Sequence, residues 1–358
     1  MSSVVVGMSG GVDSSVAAFL LKQQGHRVLG VSFLLYEARL RSQYADAPCC
    51  SLASIEDAGK TAALLGVEHE VINLRDIFLA KVIEPFIAAY EQGKTPNPCI
   101  LCNRFIKFPY LLKYADAHGA QYIATGHYAR VSHGASGRAE LKKGLDPKKD
   151  QSYALYDLGQ DILQRLKLPL GGLQKDETRE IAHSLNLPAA LRPESQDICF
   201  VDDGDYGTFV DRLAHHEPGP IVDLESGRTV GRHRGLHLYT IGQRKRLPAL
   251  GRPVYVVRLD TTLNALFIGP REMALTLTCC AGGLRWIVPP GDFAADAGHF
   301  RATAKIRSTM PDEPAHVVIE DDGATITFDQ PQWAPAPGQS AVLYDDDRVL
   351  GGGVIRNC

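Results

Sequence analysis

Apolar residues in the first third of the chain form short continuous runs that alternate with spaced stripes. Ser3–Gly7 contains three consecutive valines, a run typical of a buried strand. Residues 13–24 place apolar side chains at helical spacing, and Gly25 follows them as a common helix stop. The pattern therefore predicts a strand, a glycine turn and a helix at the start of the chain.

The same alternation continues to residue 125. It predicts further strands over residues 28–33, 67–74 and 122–125, and further helices over 54–65, 77–92 (interrupted near Pro85) and 109–118. Apolar strands that alternate with helices favour a parallel sheet covered on both faces. Ligands of such sheets bind beyond the carboxyl ends of the strands.

The pattern changes twice after this region. Residues 132–150 are polar and rich in glycine, which predicts a surface excursion. After residues 217–220, short β-prone runs are separated by Gly, Asp-Gly and Pro, at residues 236–241, 254–259, 266–268, 302–306, 315–319, 325–328 and 341–344. We therefore predict an α/β domain over 1–208 and two mainly β domains over 209–275 and 276–358.

Composition changes this picture little. Hydrophobic residues make up 45% of the chain and charged residues 22%, which excludes disordered and fibrous classes. The formal net charge is −3, and such a sum argues against a nucleic-acid partner. The distribution argues the other way, because residues 226–259 carry seven Arg, one Lys and no Asp or Glu. A run of one sign is typical of an RNA-binding surface.

The role of the eight cysteines depends on whether the protein is in a reducing or an oxidising compartment. No stretch reaches the roughly 18 apolar residues of a membrane span, and we expect no signal peptide. Few cysteines in a long chain without a secretory signal argue against a disulfide framework. We therefore expect a cytoplasmic protein whose cysteines serve packing, metal ligation or catalysis.

Residues 4–15, VVVGMSGGVDSS, combine a strand, a glycine turn and a helix start. Gly10 and Gly11 allow close backbone approach, and Ser14 and Ser15 lie where free N–H groups and the helix dipole favour an anion. No Gly-Lys-Ser/Thr follows, so the segment is not a Walker loop. We expect it to bind phosphate.

Residues 95–103, TPNPCILCN, are the second candidate for chemistry. Two prolines predict a stiff extended loop that carries Cys99 and Cys102. The C-x-x-C spacing fits half a zinc site, a redox pair, or a thiolate nucleophile beside a nucleotide. A third cysteine, Cys199, lies in the segment DICF. The pattern alone leaves these three possibilities open.

Together, these segments resemble a known family. The order SGGVDSS, TPNPCxxCN, IATGHY, KDQSY, DICF, YTIGQR and PGQSA is that of tRNA-specific 2-thiouridylases, members of the PP-loop ATP pyrophosphatase superfamily. The resemblance implies an adenine nucleotide alpha hydrolase-like α/β domain, a small mainly β central domain and a C-terminal β-barrel. It implies ATP-dependent 2-thiolation of the wobble uridine (position 34) in the anticodon arm of tRNA.

The resemblance also implies site residues. ATP would contact Gly7, Met8, Ser9, Gly10, Gly11, Val12, Asp13, Ser14, Phe33 and Gly126, with Asp13 helping to hold Mg²⁺. tRNA would contact Asn97, Pro98, Cys99, His127, Lys149, Asp150, Gln151, Arg307, Ser308 and Gln339. The target base must be flipped out, because its C2 is unreachable in a stacked loop.

The resemblance leaves two sulfur-transfer mechanisms open. In one, Cys199 receives a persulfide from a sulfur-carrier protein, and Cys102 later forms a disulfide with it. In the other, Cys99, Cys102 and Cys199 hold three irons of a [4Fe–4S] cluster. Familiar members have Asp at the position of Cys99, so the acid–base role proposed for that Asp is vacant here.

Other PP-loop enzymes remain as alternatives, namely a tRNA lysidine ligase or an amidotransferase-type synthetase. Neither needs both cysteine segments. A sulfur carrier with a degenerate ATP site is a third alternative, which the intact SGGVDSS disfavours.

Overall fold

The structure, a computed structural model, describes residues 2–36, 52–134, 137–191, 198–201, 206–211, 216–294 and 298–358. Cys49, Cys50 and residues 192–197 before Cys199 lie outside this part. The chain divides into two compact units. The first unit comprises Met1–Val82, Cys99–Gly204 and Asp347–Val349, and the second comprises Ile83–Pro98, Asp205–Asp346 and Leu350–Cys358.

The described residues form ten α-helices in chain order. They are α1 Val12–Gln23, α2 Leu52–Leu65, α3 Arg75–Phe78, α4 Glu84–Glu91, α5 Pro98–Cys102, α6 Phe108–Ala117, α7 Ser152–Leu155, α8 Gln160–Leu163, α9 Lys175–Ser184 and α10 Tyr206–Asp211. Two π-helical turns, Leu79–Ile83 and Asn103–Lys107, lead into α4 and α6. The first of these turns is the interruption predicted near Pro85.

The first unit contains a parallel five-stranded sheet, as predicted. The strands of this unit are β1 Ser3–Gly7, β2 Arg27–Leu34, β3 Glu68–Asn73, β4 Tyr122–Ala124, β5 Ala129–His133, β6 Ala139–Lys143 and β7 Leu166–Lys167. The sheet order is β3-β2-β1-β4-β7. The three valines of β1 are fully buried, because helices cover both faces of the central strand.

Helix α1 packs between two apolar clusters. Ala18 and Leu21 join the cluster of Val4 and Val6. Val16 and Ala17 join the cluster that contains Tyr128 and residues of α9. Burial on both sides fixes α1, and with it the loop that precedes it.

The excursion predicted over 132–150 is partly a β-hairpin, formed by β5 and β6. Ala139 and Leu141 point inward and are buried, while the charged residues between them face outward. The Glu and Lys content of β6 hides this alternation, because those residues have low strand propensity. Arg130 and Lys142 pair with Asp347, so part of the basic character of this region is neutralised.

The second unit contains two β systems. Its strands are β8 Gly219–Asp223, β9 Arg228–His233, β10 Tyr255–Asp260, β11 Ala265–Gly269, β12 Leu275–Trp286, β13 His299–Lys305, β14 Glu313–Glu320, β15 Gly323–Trp333, β16 Ser340–Asp345 and β17 Arg348–Arg356. One sheet has the order β10-β11-β8-β9. Strands β12, β15, β14, β13, β16 and β17 close into a six-stranded barrel through the pairing of β12 with β17. A mainly β central region and a C-terminal barrel are thus confirmed.

The strand predicted over 236–241 is wrong. Leu236–Leu238 is a 3₁₀ turn, closed by the bond from Tyr239 N–H to the Leu236 carbonyl (3.0 Å). The residues Leu236, His237, Leu238 and Tyr239 are all buried, so their alternating polarity does not mark two faces of a strand.

The cysteine segment also differs from its prediction, since Cys99 and Cys102 lie on α5 and not on an extended loop. Pro98 begins this helix, where its fixed φ is favourable and its missing N–H costs nothing.

Two cysteines expected to have no particular role are joined. Cys280 and Cys358 form a disulfide with a Cα–Cα distance of 5.3 Å. Cys279 is buried, and burial raises the pKa of its thiol to about 12. Neighbouring residues of a strand point to opposite faces, so Cys280 can form the disulfide while the Cys279 side chain lies on the other face. Among the described helices, none has the length and apolar content to cross a membrane.

Candidate active site

The turn between β1 and α1 brings backbone N–H groups to the carboxyl edge of the sheet. Gly10 has a φ of +76°, and a Cβ there would lie 2.0 Å from the Ser54 carbonyl oxygen. The N–H of Ser9 donates to Ser14 Oγ (3.1 Å), and Ser14 Oγ donates to the Gly11 carbonyl (3.2 Å). The serines therefore shape the turn at the start of α1, where an anion is stabilised.

Gly126 follows β4, the neighbour of β1. A Cβ at this position would lie 2.6 Å from the carbonyl carbon of Asp13 and 2.7 Å from Ser14 N. Two backbones therefore meet here at a distance that a side chain would not allow. This close approach explains why Gly is needed after β4.

Asp13 is held by two partners that sequence reasoning missed. Lys175 Nζ donates to Asp13 Oδ1 (2.6 Å), and the Tyr128 hydroxyl donates to the same oxygen (2.9 Å). The Tyr128 hydroxyl also bonds Thr178 Oγ1 (3.0 Å). Lys175 is only 6% exposed, so its charge needs the pairing with Asp13.

The sequence carries one local signal for Lys175. Gln174 and Glu177 form a capping box, with Gln174 N–H donating to Glu177 Oε2 (2.7 Å), which marks the start of α9 at Lys175. The capping box does not predict that Lys175 pairs with Asp13, which lies 162 residues earlier in the chain.

A cavity of about 200 Å³ opens beside this loop. Seven of the ten residues predicted for ATP line it, namely Gly7, Met8, Ser9, Asp13, Ser14, Phe33 and Gly126. Gly10, Gly11 and Val12 are not part of the lining. His127 and Gln151, predicted for tRNA, and Lys107 also line this cavity.

His127 is a neutral residue of the cavity. Thr125 Oγ1 lies 2.7 Å from His127 Nδ1, and the ring packs against Phe108 at 5.8 Å between centroids. Desolvation, reinforced by the charge of Lys107, lowers the pKa of His127 to about 3. The imidazole therefore stays uncharged at pH 7 and offers hydrogen bonds but no cation.

The helical run that carries Cys102 continues into the cavity wall. Cys102 is buried, Cys199 is half-buried and Cys99 is exposed. The π-helical turn after Cys102 leads to Lys107 and Leu111, which line the cavity. Arg104 and Lys107 follow Cys102 closely in the sequence, and a cation that faces a thiol favours its thiolate form. Arg104 Nη1 instead pairs with Asp157 Oδ2 (3.0 Å).

Asp150 and Gln151 are engaged inside the first unit. The Asp150 carboxylate accepts bonds from Gly144 N–H (3.0 Å), Ser152 N–H (3.1 Å) and Ser152 Oγ (2.9 Å). Gln151 Oε1 accepts a bond from the Tyr128 N–H (2.9 Å). Lys149 is half-buried beside them. These residues, predicted for tRNA, order the segment that ends at the cavity.

Gln339 and Thr95 meet in the second unit. The N–H of Thr95 donates to the Pro337 carbonyl (2.7 Å), and Gln339 Nε2 donates to the Thr95 carbonyl (2.9 Å). Thr95 Oγ1 donates to Thr240 Oγ1 (3.2 Å). Gly338 (φ +94°) has no room for a Cβ, which would lie 2.9 Å from Thr95 N. The YTIGQR and PGQSA segments thus converge on the residue that opens TPNPCILCN, and we call this group the Thr95 anchor.

Other predicted tRNA contacts vary in exposure. Arg307 Nη2 donates to the carbonyls of Ile241 (2.8 Å) and Ala334 (2.7 Å). Ser308 is exposed, Asn97 is half-buried and Pro98 is buried.

The basic run of residues 226–259 is mostly solvent-facing. Its exposed members are Arg228, Arg232, Arg234, Arg244, Lys245, Arg246 and Arg258. Arg252 is an exception, because its Nη2 pairs with Asp223 Oδ1 (2.6 Å) and Glu225 Oε2 (2.8 Å). Hydrogen bonds from Ser226 and the charge of Arg252 lower the pKa of Asp223. Acidic residues just before the run therefore neutralise one of its cations.

Three domain families match the chain in order. A family model described as a tRNA methyl transferase HUP domain matches residues 2–203. A tRNA methyl transferase PRC-barrel domain matches 207–270, and an aminomethyltransferase β-barrel domain matches 277–355.

Curated relatives cover nearly the whole chain. The tRNA-specific 2-thiouridylase MnmA of Heliobacterium modesticaldum is 47% identical over 99% of this chain and 93% of the relative. The protein of the same name from Halothermothrix orenii is 43% identical over 99% of both. The chain belongs to the tRNA-specific 2-thiouridylase family. This membership accounts for the order of its motifs, and it disfavours the lysidine ligase and synthetase alternatives.

A solved 4-thiouridine synthetase–RNA complex with bound ATP is a distant neighbour in structure. It is 16% identical, with a TM-score of 0.38, and the match covers 59% of this chain and 50% of that one. A likeness this weak says nothing about function.

Proposed function

We propose that this chain is a tRNA-uridine 2-sulfurtransferase, which thiolates C2 of the wobble uridine with consumption of ATP and release of AMP and diphosphate. One observation carries the proposal. The helical run that begins with Cys99 and Cys102 supplies Lys107 and Leu111 to the wall of the cavity beside the turn between β1 and α1, which we call the phosphate loop. Lys107 is the fifth residue after Cys102, which corresponds to roughly 7 Å along a helix. A thiol and a nucleotide would therefore share one site.

The phosphate loop would bind ATP for adenylation. Backbone N–H groups at the start of α1 would hold the phosphates. Both Asp13 contacts described above end on Oδ1, and Oδ2 accepts no hydrogen bond from the described residues. That oxygen suits Mg²⁺, which prefers carboxylate ligands. The uracil O2 would form a bond to the α-phosphorus, and diphosphate would leave.

Sulfur transfer would then displace AMP. In the persulfide route, the terminal sulfur on Cys199 bonds to C2 and AMP leaves. The Cys102 thiolate next attacks the inner sulfur of Cys199, so the S–S bond breaks and the 2-thiouridine leaves with the electron pair. A Cys102–Cys199 disulfide results, which a thiol reductant reopens. A persulfide-carrying donor protein would supply the sulfur to Cys199 in the cytoplasm.

The donor set also fits an iron–sulfur cluster. Among the described residues of the first unit, the cysteines are Cys99, Cys102 and Cys199. Three thiols match three irons of a [4Fe–4S] cluster, and the fourth iron, when the cluster is bound, would be open to carry sulfide. Cys99 stands where familiar members have Asp, so it would serve as a third thiol ligand in this route, while the persulfide route would lack an acid or base at this position. Anaerobic purification followed by iron and sulfide analysis separates the two routes.

The proposal predicts the appearance of 2-thiouridine. Transcribed tRNA is incubated with the full chain, ATP, Mg²⁺ and a sulfide source, and its nucleosides are measured by mass spectrometry. Cys102→Ala and Cys199→Ala should each abolish the product while ATP still binds, because the attacking sulfur is lost. Cys279→Ala is the matched control and should retain activity. No 2-thiouridine under both anaerobic and reducing conditions would contradict the proposed reaction.

A further inference from the structure

Three metal-ligating side chains converge in the second unit, and the reaction described above uses none of them. Asp211 ends α10, His216 precedes β8, and His237 lies in the 3₁₀ turn Leu236–Leu238. One ligand atom from each lies within 4.8 Å of the other two. Across the described residues, no other group of three His, Cys, Asp or Glu side chains meets this criterion.

The distances within this group match those around a zinc ion. His216 Nε2 lies 3.2 Å from Asp211 Oδ1, and His237 Nε2 lies 3.1 Å from the same oxygen. Zinc ligands at about 2.0–2.1 Å in a tetrahedron are separated by about 3.3 Å. The two nitrogen–oxygen distances are therefore close to the edges of such a tetrahedron.

The fold holds the two imidazoles beside the carboxylate. The ring centroids of His216 and His237 lie 4.7 Å apart. A Cβ on Gly235 would lie 2.4 Å from Cε1 of His237 and 3.0 Å from Cβ of His216. A side chain at position 235 would therefore collide with the His237 ring and crowd the Cβ of His216. His237 is 3% exposed, whereas the side chain of His216 is 29% exposed, so the group is buried on one side and open to solvent on the other.

We propose that Asp211, His216 and His237 bind one Zn²⁺ ion, with water in the fourth position. Two imidazoles and a carboxylate are a ligand set that Zn²⁺ accepts, and the exposed side admits both the ion and its water. The ion would join the end of α10 to the turn that leads to Tyr239 and Thr240. Because Thr240 is part of the Thr95 anchor, the ion would stabilise the segment that supports it.

The test is metal binding by the full chain, independent of thiolation. Accessible thiols are alkylated, so that cysteines do not compete, and the chelated protein is titrated with Zn²⁺ by calorimetry. We expect one equivalent to bind and the melting temperature to rise. Co²⁺ in place of Zn²⁺ should give the visible absorption of a tetrahedral site.

Variants assign the site. Asp211→Asn keeps the shape of the side chain but removes a good ligand, and His216→Ala removes a partly exposed one. Each should weaken Zn²⁺ binding by more than the roughly 10–100-fold that loss of a residue supporting a ligand costs. The double variant His299→Ala/His316→Ala removes another histidine pair, whose rings lie 5.8 Å apart, and should leave binding unchanged.

Three results would contradict the proposed zinc site and show that Asp211, His216 and His237 are only hydrogen-bonded to one another. These are no saturable binding by the alkylated protein, unchanged affinity in both ligand variants, or loss of binding in the His299/His316 control alone. If a ligand variant does not fold, the stoichiometry and cobalt spectrum of the unsubstituted chain decide.

Discussion

The cavity beside the β1–α1 turn of the first unit and the Thr95 anchor of the second hold their residues by different interactions. At the cavity, a buried lysine pairs with Asp13 at 2.6 Å, and the Gly126 backbone lies against Asp13 and Ser14. At the anchor, neutral hydrogen bonds of 2.7–3.2 Å hold Thr95. Loss of Lys175 would leave the charge of Asp13 unpaired, and a side chain at Gly126 would clash with the backbone. Loss of one hydrogen bond at the anchor costs only about 1 kcal/mol of stability. Changes at the cavity should therefore have the larger effects.

Among the substitutions that compare these two regions, Lys175→Met should have the largest effect. This substitution keeps the length of the side chain and removes the cation that holds Asp13. Adenylation should fall roughly 10²–10³-fold, because a charge arranged for the reaction is lost. AMP release measured with saturating tRNA checks this. Lys175→Arg should recover part of the rate, because it restores a cation. If Lys175→Met kept a rate within twofold of the unsubstituted chain, the expectation of larger effects at the cavity would be wrong.

A smaller loss, about 10²-fold in kcat/KM for ATP, is expected for Gly126→Ala. The new Cβ would force the backbone of Asp13 and Ser14 to shift, and such misplacement is costly. Gly172→Ala is the matched control, since a Cβ there meets nothing within 4 Å. Equal kinetics for the two alanine variants would show that the close approach is unimportant.

Charge reversal in the basic run should act on tRNA affinity alone. In Arg244→Glu/Lys245→Glu, affinity for tRNA should fall about 10-fold at low salt, and the slope of log K against log salt should become shallower by about 2. Filter binding across salt concentrations measures both. Lys60→Glu/Lys81→Glu, a reversal of two exposed lysines elsewhere, serves as the control. An unchanged slope in the Arg244/Lys245 variant would exclude this surface.

The smallest effect is expected at the anchor. Gln339→Ala removes the bond to the Thr95 carbonyl, and kcat for thiolation should fall about fivefold with KM for ATP unchanged. Single-turnover thiolation measures the change. If Gln339→Ala lost as much activity as Lys175→Met, thiolation would be as sensitive to changes at the anchor as to changes at the cavity.

Periodicity predicted much of the fold. The apolar run of β1, the stripe of α1 and the glycine after it lie where they were expected. The prediction of a strand over 236–241 was wrong because residues 236–239 are all buried, whereas an alternating pattern implies one buried and one exposed face. The hairpin at β5 and β6 was missed because exposed Glu and Lys conceal its inward-facing Ala139 and Leu141.

The sequence by itself determined what depends on neighbouring residues: strand and helix periods, the glycine turn before α1, and the segments that carry the cysteines. Tertiary structure alone decided which distant side chains meet. Lys175 reaches Asp13 across 162 residues and Gln339 reaches Thr95 across 244. A helix start fixes where a side chain leaves the backbone. Its partner depends on which elements pack beside it, and local preferences carry no information about that.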